Sequence, residues 1–147
     1  MTTAHAQTST AALPSRLAYG IAGGLAGGVV FGLLMQMMGM ISMVAMLVGS
    51  EAVTVGWLVH LAISAFVGAT FGLLFGAWAA RVGLGALLGI GYGIVWWVLG
   101  ALIIMPAALG MGVFMFNPTA WQSLMGHMLY GLVLGVGFAA LARRQRT

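Results

Sequence analysis

The chain has no cysteine, no lysine and no aspartate, and Glu51 is its only acid. Without cysteine there is no disulfide, no thiolate nucleophile and no Cys-based metal site. Without lysine, and with one carboxylate, the paired acid-base groups and activated nucleophiles of hydrolytic chemistry are missing. Ser64 follows His60 by one helical turn, but no third group is present to orient the imidazole, so the expectation is that the protein is not an enzyme. Charge of either sign is scarce: 4% of the 147 residues are charged, against about one quarter in an ordinary soluble domain. That excludes a water-soluble globule. The net charge of +4 comes from Arg16, Arg81, Arg143, Arg144 and Arg146, which are spread along the chain and form no basic face, so nucleic acid is not the partner.

What the chain does have is apolar length. Hydrophobic residues make up 63% of it, and 64 residues between Arg16 and Arg81 are broken only by a polar patch at Ser50 and Glu51. A membrane span takes about 20 apolar residues, so this stretch predicts two. A second pair follows, with its break at Asn117-Pro118-Thr119 and Arg143 as the stop. The spans are expected at 17–41, 53–79, 83–106 and 120–142. Every arginine then falls on one side, which the positive-inside rule makes the cytoplasm, with both termini there and the chain in the inner (plasma) membrane. The first charge, Arg16, precedes an apolar run too long for a signal peptide, so the first span reads as retained. The apolar stretches after spans one and three are expected to lie as caps at the outer interface.

The two halves repeat. His60 matches His127, Gly68 matches Gly135 and Phe71 matches Phe138, all 67 residues apart; Gly20, Gly24, Gly28 and Met40 match Gly85, Gly89, Gly93 and Met105 at 65. The connection in the second half is thus two residues longer. The expected division is a disordered cytoplasmic tail (1–15), a first two-helix membrane repeat (16–81), a second (82–142) and a basic cytoplasmic tail (143–147). Each half holds two spans, so the repeats are parallel and related by a pseudo-two-fold axis along the membrane normal. The expected fold is an all-α integral membrane protein, a four-helix bundle packed on glycine. Gly20, Gly24, Gly28 and Gly32 recur every fourth residue, as do Gly68, Gly72 and Gly76, Gly85, Gly89 and Gly93, and Gly131 and Gly135. In lipid, small residues that let backbones approach are the main route to helix association. Ser50 and Asn117 read as N-caps, and Glu51 as a carboxylate at a helix start.

His60 and His127 sit ten residues past their caps, at one depth and across the axis. On a helical wheel His60 shares a face with Ser64, Val67 and Phe71, and His127 with Gly131, Leu134 and Phe138. Imidazoles at this depth face the bundle interior and need a partner: a backbone carbonyl, Ser64, Tyr130 or the other histidine. No cofactor is established by this pattern, but two sharper readings stay open. Paired histidines suit a b-type haem. Together with thioethers, Met40 and Met105 foremost, they suit copper. Gln36, alone in the first span, reads as a helix-to-helix hydrogen bond. The function expected is that of a structural or accessory subunit, self-associating or docked on a larger membrane complex. A small-solute conduit along the axis is the other alternative.

Overall fold

The computed structural model describes residues 12–144. Most of the expected tails, 1–11 and 145–147, lie outside the described residues. Four long helices, α1 (Leu13–Met37), α3 (Val53–Phe75), α4 (Val82–Ala108) and α5 (Pro118–Arg144), are each apolar and long enough to cross a membrane. A short helix, α2 (Ile41–Met46), lies between α1 and α3, and no strand occurs among the described residues. The architecture is compatible with a multi-pass membrane protein.

Both ends of the chain need correcting against the sequence reading. Residues 13–15, expected in the tail, form the first turn of α1, where Pro14 supplies the fixed φ that suits a helix start. Arg143 and Arg144 are the last turn of α5 and not a tail, and cations there complement the helix dipole. The two expected caps also differ. Asn117 does cap α5, its Oδ1 accepting the Ala120 N–H at 2.9 Å. Ser50 does not cap α3: its Oγ accepts the Ala52 N–H at 3.2 Å, and the helix starts only after Ala52, which is extended. Glu51 therefore lies outside the first turn. The helix ends are set by glycine. Gly39, at φ +70, lets Met40 N–H reach Met35 O (2.7 Å) after α1, and Gly110, at φ +68, does the same for Met111 N–H and Pro106 O (2.8 Å) after α4. The expected outer caps become α2, which buries Ile41, Val44 and Ala45 against α3, and an irregular segment at 109–117.

The long helices run antiparallel in the order α3, α1, α5, α4. α1 packs along both α3 and α5, and α4 along α5, whereas α3 and α4 barely meet. The end carrying residues 13, 76–81 and 144 is called proximal below, and the other distal. Helix approach is close wherever glycines face backbone. A Cβ on Gly20 would strike the Gly68 carbonyl, one on Gly24 the Ser64 carbonyl, and one on Gly72 the Arg16 carbonyl. Between α4 and α5 the pairs are Gly85 with Gly135, Gly89 with Gly131, and Gly93 with the His127 carbonyl. Two glycines of the sequence pattern behave differently: Gly32 faces the Trp57 and His60 rings, and Gly76 lies past the end of α3 against the Arg16 side chain. α1 carries a second set, since Gly23 meets the Leu134 carbonyl and Gly27 the Tyr130 carbonyl of α5.

The proximal half is solid. Phe71, Leu134 and Phe138 have no exposed surface, and the Phe71 ring lies 5.8 Å from Phe138 and 5.5 Å from Tyr92, centroid to centroid. Tyr19 closes the same cluster, 6.0 Å from Phe138.

Candidate functional site

The distal half is built around a cavity of about 630 Å³ that opens to the surface. That is within the range of small-molecule sites, roughly 300–1,000 Å³. It lies where large buried side chains give way to small ones: on α3 Phe71 is followed, two turns toward the distal end, by Ser64, and α4 contributes Gly100 and Ala101 to the lining. α4 is also wound differently here. Trp97–Ile104 is π-helical, a wider winding that is uncommon and often found at functional sites. Its Trp97 is anchored to α5, the indole N–H donating to Ala120 O at 2.9 Å.

Both histidines border this cavity. Each is held by a backbone carbonyl, which can only accept, so the ring nitrogen must donate. His60 Nε2–H donates to Gly28 O on α1 at 2.9 Å. His127 Nδ1–H donates to Ser123 O, one turn back on its own helix, at 2.8 Å, with Ser123 Oγ at 3.3 Å. In each neutral imidazole the other nitrogen, Nδ1 of His60 and Nε2 of His127, keeps its lone pair, and neither takes a hydrogen bond among the described residues. Phe31 stands edge-on to both rings, its centroid 5.6 Å from His60 and 4.8 Å from His127. The two histidines thus bind differently: one ties two helices together, the other does not.

Below them the polar groups satisfy one another. Tyr130 O–H donates across the bundle to Ser64 O at 2.8 Å, and Ser64 O–H donates back to His60 O at 2.7 Å. Tyr130→Phe removes the first bond and leaves a carbonyl that still accepts within α3, so the expected loss is about 1 kcal/mol. Unfolding of the purified protein in a graded denaturing detergent reads it. At the distal rim Trp57 N–H donates to Gln36 Oε1, the α1 to α3 hydrogen bond expected of Gln36.

The rest of the lining is soft and apolar. Met40 and Met105, singled out in the sequence, both line the cavity, and Met35, Met43, Met111 and Met115 join them. No acid or base other than the imidazoles and Tyr130 borders it, and no cluster of three or more His, Cys, Asp or Glu that could hold a metal occurs among the described residues. The sequence reading did not pick out Phe31, Gly23, Gly27, Gly56 or Gly126. For Gly23 and Gly27 the signal was present as paired glycines in AGGLAGG; for Phe31, whose ring would be struck by a Cβ on Gly126, there was none. No protein-family model, curated protein or solved structure matches this chain.

Proposed function

We propose that the protein is a small multi-pass inner-membrane protein, both termini cytoplasmic, that serves as an accessory binding subunit and not as an enzyme. One observation carries this: the bundle is solid in one half and hollow in the other, and the hollow is lined by thioethers, aromatic rings and neutral hydrogen-bonding groups, with no carboxylate, amine or thiol. Such a lining binds; its hydroxyls lie beside imidazoles that no carboxylate orients, and the ring nitrogen nearest Ser123 Oγ already donates to a carbonyl, so no activated nucleophile is assembled for hydrolytic chemistry. Met-rich surfaces adapt to ligands of varied shape. The two halves are taken as parallel repeats packed on glycine, supported by equivalent approaches: Gly20 to Gly68 matches Gly85 to Gly135, and Gly24 to Ser64 matches Gly89 to Gly131. Self-association or docking on a larger complex is part of the same reading.

A copper-handling role is the second reading, because six methionines and two imidazoles with bare lone pairs share one cavity, and soft thioether and imidazole donors suit copper(I). The other two alternatives fare less well. A haem held between His60 and His127 would have to displace Phe31, which contacts both rings. A conduit along the axis meets Phe71, Leu134 and Phe138, which leave no accessible surface in the proximal half.

Native mass spectrometry of the purified protein, with copper and iron analysis of the same sample, tests the proposal. The expected result is a metal-free chain carrying one apolar adduct, with the adduct lost in Gly100→Phe. Gly100 borders the cavity and a Cβ there meets nothing, so the variant adds a ring without displacing backbone. Stoichiometric copper would move the second reading to the front. A chain with neither, which also takes up no apolar ligand when one is supplied, would overturn the binding role.

A further inference from the structure

The bundle departs from two-fold symmetry at one interface. If the halves were equivalent, α4 would lie against α3 as α1 lies against α5, yet the first contact is slight and the second extensive. The sequence supplies the cause. At the 65-residue offset, Gly23 and Gly27, which bring α1 onto α5, are matched in α4 by Leu88 and Tyr92. Tyr92 acts as a spacer: its ring lies 5.5 Å from Phe71 and 5.6 Å from Phe75, and its hydroxyl is 2.6 Å from Thr70 Oγ1. One turn further on, Phe66 and Trp96 still touch, with centroids 6.3 Å apart. Beyond that pair the two helices leave a slit bordered by Ile63 on one side and Gly100 and Ile104 on the other, all three lining the cavity. Ile63 is 43% and Ile104 56% exposed. Ile63 is the eleventh residue of the 23 in α3, about 15 Å from the distal end at 1.5 Å per residue. The slit therefore reaches the middle of the span, where the surroundings of a membrane-embedded bundle are hydrocarbon.

The hydrogen-bonding inventory then restricts what can fill the space. The hydroxyls of Tyr130 and Ser64 and the N–H of each imidazole are already donated within the protein. What remains on the cavity side is acceptor capacity at His60 Nδ1 and His127 Nε2 and, among the lining residues, the hydroxyls of Thr119 and Ser123 and the Trp96 indole N–H, the last buried without a partner; none of these donors reaches either of those two imidazole nitrogens. An acceptor that faces an apolar space without a partner is costly. An alkane leaves it unpaired, and so does an ether or ester, which brings only further acceptors; an alcohol or phenol pairs it.

We propose that the cavity is loaded sideways from the bilayer through the α3–α4 slit, and that its ligand is an apolar alcohol or phenol whose hydroxyl donates to His127 Nε2 or His60 Nδ1. The proposal rests on the binding role given above and adds the route and the ligand class. It also gives the π-helical winding a role: the wider winding at Trp97–Ile104 falls where the wall must stand away from α3, with Gly100 at the opening.

The test uses the full chain in phosphatidylcholine vesicles and a hexadecanol carrying a diazirine on its chain, with the labelled residues mapped by mass spectrometry. Saturable labelling at the slit and in the cavity is expected. Unlabelled hexadecanol should displace it about tenfold better than hexadecane or methyl hexadecyl ether, the fold-change of one hydrogen bond near 1.4 kcal/mol. The double variant Ile63→Trp, Ile104→Trp, altered only at surface-exposed rim positions, should slow cavity labelling at least tenfold while its thermal transition stays in place. Equal competition by all three compounds would overturn the ligand class, and unchanged kinetics in the rim variant would overturn the lateral route, with the binding role standing in both cases. Labelling spread over every outward helix face without saturation would instead overturn the binding role itself. His127→Phe should weaken hexadecanol alone, bringing it to the level of the ether. The competitor series needs only the unaltered chain, so it decides the ligand class even if that variant does not fold.

Discussion

Gly131→Ala is expected to destabilise the bundle by about 3 kcal/mol, while Gly91→Ala leaves it unchanged or stabilises it by up to about 1 kcal/mol. A Cβ on Gly131 would overlap the Gly89 carbonyl group and come within 3.2 Å of Gly93 N. All three atoms are backbone, so no rotamer change relieves the clash and α4 and α5 must separate. Separation also loosens Gly85 against Gly135 and Gly93 against His127, since these contacts share one interface. Gly91 lies on the same α4, two residues from Gly89, where a Cβ meets nothing within 4 Å. The two variants thus add the same methyl group on the two helices of one pair, once against backbone and once in open space. Unfolding in a graded denaturing detergent, followed by helicity, measures both; equal midpoints would show that α4 and α5 do not depend on backbone contact.

Phe31→Ala is expected to cost about 3 kcal/mol, and to do so in the distal half alone. The ring is 5% exposed, lies where a Cβ on Gly126 would sit and contacts both imidazoles. Its removal takes away the main side-chain packing between α1 and α5 at the level of the cavity. The surrounding space cannot collapse to fill the void, because the cavity already adjoins it. Met37→Ala on the same helix, at an 83% exposed position, is the matched control and should have little effect. Amide exchange resolved by segment adds the location: faster exchange is expected for the distal turns of α1 and α5, with the proximal turns around Phe138 unchanged. Uniform acceleration would contradict the division into a solid half and a hollow one.

Much of this arrangement was legible before any coordinates. Four apolar runs with polar breaks predict four long helices, although α1 begins and ends four residues earlier than expected because Pro14 starts it and Gly39 stops it. The buried face of α3 was readable from helical spacing, since His60, Ser64, Val67 and Phe71 are all buried. Gln36 found its partner across to α3. The cavity was not legible, and the reason is physical. A pattern of apolar residues says which side of a helix is inward but not whether the inward sides meet. That depends on how Tyr92 wedges α4 away from α3 and how α4 is wound at Trp97–Ile104. Nor could residue type say which nitrogen of an imidazole is spent. Only the positions of Gly28 O and Ser123 O decide that, and they leave the two histidines in different roles.

The placement of α1 has a consequence for how the chain is assembled. It precedes the other three long helices along the chain and is one of two that are packed on two sides, against α3 at Gly20, Gly24 and Gly72 and against α5 at Gly23 and Gly27. Its first partner follows within a few dozen residues; its second comes after α3 and α4 have been made. Contacts of such long sequence separation form late. The α1–α3 hairpin therefore waits with Gly23 and Gly27 uncovered, a surface that any small-residue helix could occupy, until α5 arrives and closes it.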